Sequence, residues 1–474
     1  MKILRILSLF FILVFLVNSC TQPESDFDPY FKLLEKALAL NQPEYNEIWP
    51  GYDLNDFPIG LYNENEAYLI NHASPGDAFQ KTERKIRQYV LYHSPKKPDG
   101  FFGNTSLEYN GHRTSVFMID QDMSEESFHN LLFHEVFHSF QKNQEIFNKR
   151  YGNVMIQPFF PLDDLEFYSL SYIEQIVLKD AFLSEEDSQT RKRIQQYYVV
   201  SDKRNSMLDE RFIEYESNVQ INEGTATYAG NKGLEVMGFH EESKQNLFKL
   251  INDKIDAPTG FRRRCYSVGR VFAELLDRFS PDWKSKMRPG FTLPGVLRSA
   301  VEPLYEVKLE DILKEYHYEE IKKEFKTLLE QQSEERRLQK KEILNPGYVV
   351  VQFPSQNFLD MSSIRFDPMN LSLVEEQLLC HRSILILGKK DRFHFKLNWQ
   401  SILTEIAPGN LFMILKIYFT IPEDAQMSLD GETIKELTEK TDIKEFILES
   451  KSIQMEIYNA EIKKANTHYV IELK

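Results

Sequence analysis

At 474 residues the chain is longer than one compact core usually organises, so two or three domains are expected. Hydrophobic residues at 42% and charged residues at 27% exclude a disordered or fibrous chain and fit a globular one with sizeable cores. The formal charge of −15 argues against nucleic acid as a partner, because phosphate binding needs a basic face.

The N-terminus comes first in chain order. Lys2 and Arg5 precede an apolar run from Ile6 to Val17, followed by Asn18-Ser19-Cys20. A basic start, a short apolar core and a small residue before the cut describe a secretory signal over residues 1–19, and the run is too short to span a bilayer. Ser19 followed at once by Cys20 resembles the lipobox of bacterial lipoproteins. That resemblance implies cleavage before Cys20, a lipid anchor on Cys20, and a place at the bacterial cell envelope, in the outer membrane or facing the periplasm. An ordinary cleaved signal with an incidental cysteine is the other reading. Spacing leaves open whether Cys265 and Cys380 are bridged or are two free buried thiols.

Beyond a polar tether, Phe31–Leu40 carries apolar residues at helical spacing. Phe57–Tyr62 and Ala67–Ile70 flank Asn63-Glu64-Asn65-Glu66 and read as a hairpin. Gln88–His93 and Thr114–Ile119 read as further strands, the latter as a sheet edge open to an extended peptide. Helices are expected from about Ser124 to Arg336, over Leu165–Leu183, Ser188–Val199, Met207–Val236, Val268–Arg278 and Leu309–Glu330. Past Asn345-Pro346-Gly347 the pattern becomes strand-like. Tyr348–Phe353, Ser383–Leu387, Phe393–Asn398, Leu411–Thr420, Ile453–Tyr458 and His468–Leu473 are separated by turn signals such as Asp430-Gly431, a series that predicts a β-sandwich.

His134-Glu135-Val136-Phe137-His138 carries the chemistry. Residues four apart share a helix face, so both imidazoles can approach one ion while Glu135 reaches a water on it. Neutral imidazoles suit Zn2+, which lowers the pKa of its water towards about 7. Leu131, Leu132, Val136, Phe137 and Phe140 are the residues expected to bury the helix.

A later helix supplies Ile221-Asn222-Glu223-Gly224-Thr225-Ala226. A helical H-E-x-x-H followed by N-E-G-x-A resembles the gluzincin metallopeptidases, in particular aminopeptidases of the leukotriene-hydrolase type. The resemblance implies that Glu223 is the third zinc ligand beside His134 and His138, and that Glu135 is the general base. It covers roughly residues 110–285. Two departures stand out. The insert between His138 and Glu223 is far longer than in those aminopeptidases, and Thr227 stands where several gluzincins place an aspartate that orients a ligand histidine. Aminopeptidase specificity is therefore not inherited. Glu216 and Glu214 are the rival ligands, and Gly224 is expected to let its helix pack closely on the motif helix.

An oxyanion donor is also needed. Gluzincins often take it from a later helix, and Tyr266, expected where a helix opens after Arg262–Arg264, is the candidate, with Tyr228 behind it. Arg262–Arg264 and Arg270 read as a solvated basic patch or as partners for a substrate carboxylate. His93, His112 and His129 read as surface or packing residues.

The sequence thus predicts an α+β chain. A signal peptide (1–19) precedes the N-terminal α+β part of a zincin-like catalytic domain (20–120). The helical zinc-binding part (121–344) and a β-sandwich (345–474) follow. The expected function is a zinc metallopeptidase acting on a peptide or protein substrate, with an envelope protein as a further partner for the β-domain. The alternative is a non-catalytic cell-surface binding lipoprotein with a metallopeptidase fold.

Overall fold

The computed structural model describes residues 26–474 apart from 121, 149–155, 157–158, 162, 253–257, 303–306, 356–357, 361–362 and 368–369. The signal segment and Cys20 lie outside the described residues. Contacts divide the chain into two compact units, Met1–Asn148 with Thr225–Asn246, and Lys149–Gly224 with Leu247–Lys474. The helical stretch expected over 121–344 is thereby shared between both. Among the described residues no helix is long and apolar enough to cross a membrane.

In the first unit, helices α1 (Asp28–Ala37) and α2 (Gln42–Ile48) precede six strands. These are β1 (Ile59–Tyr62), β2 (Ala67–Ile70), β3 (Gln80–Ile86), β4 (Tyr89–Ser94), β5 (Thr105–Tyr109) and β6 (His112–Met118), in the order β3-β4-β2-β1-β6-β5. The β1–β2 hairpin forms as its sequence predicts. The Asn63 side chain accepts from the backbone N–H groups of Asn65 and Glu66, closing a turn that sets Tyr62 opposite Ala67. One expectation is corrected. Thr114–Ile119 is not a sheet edge, because β6 runs between β1 and β5, and β5 is the edge.

Helix α3 (Glu125–Asn143) carries the motif. Ser124 caps it by accepting from the Ser127 N–H, and Glu125 and Glu126 sit in the first turn where the dipole favours acids. Phe128, Leu132, Phe133, Val136, Phe137 and Phe140 are buried. Against α3 lies α7 (Thr225–Val236), packed so closely that a Cβ on Gly230 would come 2.8 Å from the Asn130 carbonyl oxygen and 3.3 Å from His134 Cβ. Helix α8 (His240–Asn252) follows.

The second unit holds α4 (Leu165–Leu183), α5 (Asp187–Asn205), α6 (Glu210–Val219), α9 (Pro258–Phe279), α10 (Leu293–Val301), α11 (Leu309–Glu315) and α12 (Tyr318–Ile343). Two helices expected as single pieces are interrupted. Met207–Val236 contains a π-turn at Gln220–Gly224, and Leu309–Glu330 breaks at His317, which adopts a left-handed conformation with φ 52°. Helix α9 is longer than expected and already includes Arg262–Arg264, so Tyr266 does not open it.

Among the described residues thirteen strands follow, from β7 (Val349–Gln352) to β19 (His468–Leu473), in one hydrogen-bonded sheet. The long strand β18 (Ile453–Ala465) pairs with β12 (Phe393–Asn398) along its first half and with β19 along its second. The sheet forks there into two leaves. Phe395 on one leaf meets Phe419 on the other at 6.1 Å between ring centroids, as Phe393 meets Phe353 at 5.0 Å. Strand β12 alternates buried and exposed residues throughout, as the period of a half-buried strand requires. The expected sandwich is the fold of this region. Cys265 and Cys380 are free, buried thiols.

Candidate metal centre

The π-turn is the local feature on which the centre depends. One extra residue in the helical ladder shifts the register of everything beyond it, and such turns recur at functional sites. Glu216 and Glu223, seven apart, would share a face of an uninterrupted α-helix. The π-turn separates them, and they have different partners. Glu216 is enclosed with Arg204, Arg264 and Glu174, all at most 5% exposed. Arg204 Nη2 donates to Glu216 Oε2 at 2.6 Å, Arg264 Nη1 donates to Glu216 Oε1 at 2.6 Å, and the other fork of Arg264 pairs with Glu174. Burial opposes the charge on Glu216, but the two guanidinium groups outweigh it and hold its carboxyl below the ordinary value. Glu214 is exposed. Neither rival ligand joins the histidines.

His134, His138 and Glu223 do come together. Their ligand atoms all lie within 4.8 Å of one another, and each side chain is partly exposed. The two Nε2 atoms face each other at 3.2 Å. Two ligands at zinc distances and a tetrahedral angle stand about 3.4 Å apart, so this spacing fits the ion. Two imidazole nitrogens aimed at one point need a proton or a cation between them, and a two-His, one-carboxylate donor set suits Zn2+. His138 Nδ1 donates to Gln141 Oε1 at 2.7 Å, which leaves its Nε2 lone pair available. Gln141 Nε2 in turn donates to Thr225 Oγ1 at 2.9 Å.

Glu135 is 9% exposed, and no described residue hydrogen-bonds its carboxylate. Its backbone carbonyl accepts from Ser115 Oγ, which fastens the motif helix to β6. The Glu223 carboxylate accepts from Arg262 Nη2 at 2.7 Å, and Arg262 Nη1 donates to the Tyr215 hydroxyl at 3.3 Å. Tyr266 also hydrogen-bonds Glu223, and burial together with that neighbouring carboxylate pushes its phenol well above the ordinary range. The phenol therefore keeps its proton, and can donate it, at neutral pH.

Other expectations are corrected. Of the expected solvated patch only Arg263 is exposed; Arg262, Arg264 and Arg270 are at most 9% exposed and paired with Glu223, with Glu174 and Glu216, and with Glu274. Gly224 packs on α9 and not on the motif helix: a Cβ there would come 2.6 Å from Gly269 Cα. The close approach to the motif helix belongs to Gly230. Tyr228 is fully buried against Trp49. His129, His93 and His112 are packing or surface residues as their sequence reading has them: His129 is buried with its Nε2 on the Leu33 carbonyl, His93 pairs with Glu66, and His112 stacks edge-on against His72.

Sequence reasoning passed over Gln141, Thr225 and Arg262 as parts of the centre. Gln141 follows His138 by three residues and so shares its helix face, a signal that was available. Nothing local pairs Arg262 with Glu223. No family model, curated protein or solved structure matches the chain.

Proposed function

We propose that the chain is a zinc-dependent hydrolase of the metallopeptidase type, exported and lipid-anchored through Cys20 at the cell envelope, acting on a peptide or protein substrate. The observation that supports this most is the convergence of His134 Nε2, His138 Nε2 and a Glu223 oxygen within 4.8 Å, beside the buried Glu135. Zinc held there would activate a water and polarise the scissile carbonyl. The Glu135 carboxylate takes a proton from the attacking water and returns it to the leaving amine. The Tyr266 hydroxyl, which hydrogen-bonds Glu223 in this structure, would turn from that carboxylate to donate to the oxygen that gains negative charge at the carbonyl. Arg262, paired with Glu223, fixes that carboxylate's direction and balances its charge. The β-sandwich is the part suited to a substrate chain or an envelope protein.

A second reading is a binding lipoprotein that keeps this arrangement without turnover. The Arg262–Glu223 ion pair favours it, because the carboxylate already has a cation as partner. Elemental analysis of the purified chain separates the two. One zinc per wild-type chain, lost in His138→Ala and weakened in Glu223→Gln, together with peptide cleavage abolished by Glu135→Gln, is the expected result. A wild type that takes up no zinc from a metal-replete buffer would sink the enzyme reading.

A further inference from the structure

We propose that Gln141 and Thr225 are positioning residues that set the tautomer of His138 and thereby its competence to bind zinc; this rests on the metal reading above. An imidazole binds a metal through the nitrogen that carries no proton, so whatever accepts from the other nitrogen decides which one is free. In this chain the acceptor on His138 Nδ1 is the Gln141 side-chain oxygen at 2.7 Å. An amide does not settle this alone, because it presents an oxygen one way round and an NH2 group the other. Reversed, it would donate to Nδ1 and place the proton on Nε2, which blocks the metal side.

Thr225 breaks that symmetry. Its Oγ1 accepts from Gln141 Nε2 at 2.9 Å. A helical threonine ordinarily spends its hydroxyl hydrogen on a carbonyl of the preceding turn, which leaves its lone pairs facing outward. Such a group receives an NH2 and does not satisfy a second oxygen. Gln141 and Thr225 are both 0% exposed, so water does not compete at either bond. The relay runs from the Thr225 oxygen through the Gln141 amide to the His138 ring. It also ties the motif helix to the first residue after the π-turn, two positions beyond Glu223. The resemblance to known zincins points to an aspartate at position 227 for this work, and here a neutral amide on the motif helix itself takes it over.

The test uses the full chain with two readouts: zinc affinity by competition with a chromophoric chelator, and the His138 tautomer of the metal-free protein by long-range proton–nitrogen correlation. Wild type should show the Nδ1-protonated ring. Gln141→Leu should lose that preference and bind zinc about 10–100-fold more weakly. Gln141→Glu, which keeps an acceptor on Nδ1, should retain both properties. Thr225→Val should weaken zinc less than Gln141→Leu, because the amide is then free to reverse. If Gln141 served packing alone, the Leu and Glu variants would lower the melting temperature alike and leave zinc affinity in place, and the proposal would fall. A wild-type His138 protonated on Nε2 would overturn it as well. A wild type that binds no zinc overturns the metal reading itself, a different result from zinc binding indifferent to position 141.

Discussion

Two regions of the second unit are stabilised on opposite principles. The sheet from Val349 onwards encloses a core of Leu, Ile, Val, Phe, Met and Ala side chains, with few buried polar groups beyond His381, Ser383 and Thr404. The helices before it bury Glu174, Arg204, Glu216 and Arg264 in a closed ring of charges, with Arg262 and Glu223 as a further pair. An apolar core of matched volume is at least as stable as a buried ion-pair ring, whereas breaking such a ring is costly. The ring therefore contributes direction more than stability: its members hold one another, and through Gln220 on Glu216 Oε1 at 3.1 Å they hold the start of the π-turn. The sheet needs volume and alternation; the helices need particular atoms at particular places.

The sharpest way to break this comparison is Glu216→Ala, which strands two guanidinium groups. It should cost about 3–5 kcal/mol in urea unfolding and weaken zinc binding together with the loss of stability. Leu387→Ala in the sheet should cost about 2–5 kcal/mol and leave zinc affinity alone. Equal loss of zinc in both variants would mean that the ring has no directing role. A smaller effect is expected from Gly224→Ala, whose new Cβ would meet Gly269 Cα at 2.6 Å. Overpacking there should cost about 1–3 kcal/mol and displace Glu223, which the same chelator competition reads as weaker zinc binding.

The smallest effect at neutral pH belongs to His381 in the sheet. Burial lowers its pKa to about 3, from an ordinary 6.5. As pH falls through about 6.5 the unfolded chain takes up a proton that the folded chain refuses until about pH 3. The stability that His381 contributes is therefore complete above pH 6.5 and is lost progressively between those values. Denaturation midpoints measured at pH 7, 5 and 4 should fall more steeply in wild type than in His381→Gln. Parallel curves would show that His381 is not the group responsible.

What the sequence disclosed follows the range of the forces involved. The motif helix, the first hairpin and Leu165–Leu183 were legible because capping, turn chemistry and apolar spacing act within a few residues. The joining of His134 and His138 followed from helical periodicity alone. Strands such as β3, Gln80–Ile86, were not legible, because most of its residues are at least partly exposed and no alternation marks it. Nor was the π-turn, since no residue type specifies one. The fate of Arg262 and Arg264 was set by partners dozens of positions away, which no local pattern records, whereas the Arg270–Glu274 pair is an i,i+4 contact within one helix. Gly224 was read as important for a sound reason and assigned the wrong neighbour.

The residues inserted between the motif helix and Glu223 also bear on when the centre can form. Gln141 and Thr225, which bond one another, are 84 positions apart. At synthesis rates of about 5–20 residues per second, the second half of the centre emerges on the order of ten seconds after the first. During that interval a nascent chain presents two imidazoles and no carboxylate partner, a weak and unselective trap for whatever metal is at hand. On the proposed zinc reading, selective loading would wait until the segment carrying Glu223 has folded, and the metal taken up would be set by the compartment in which folding finishes.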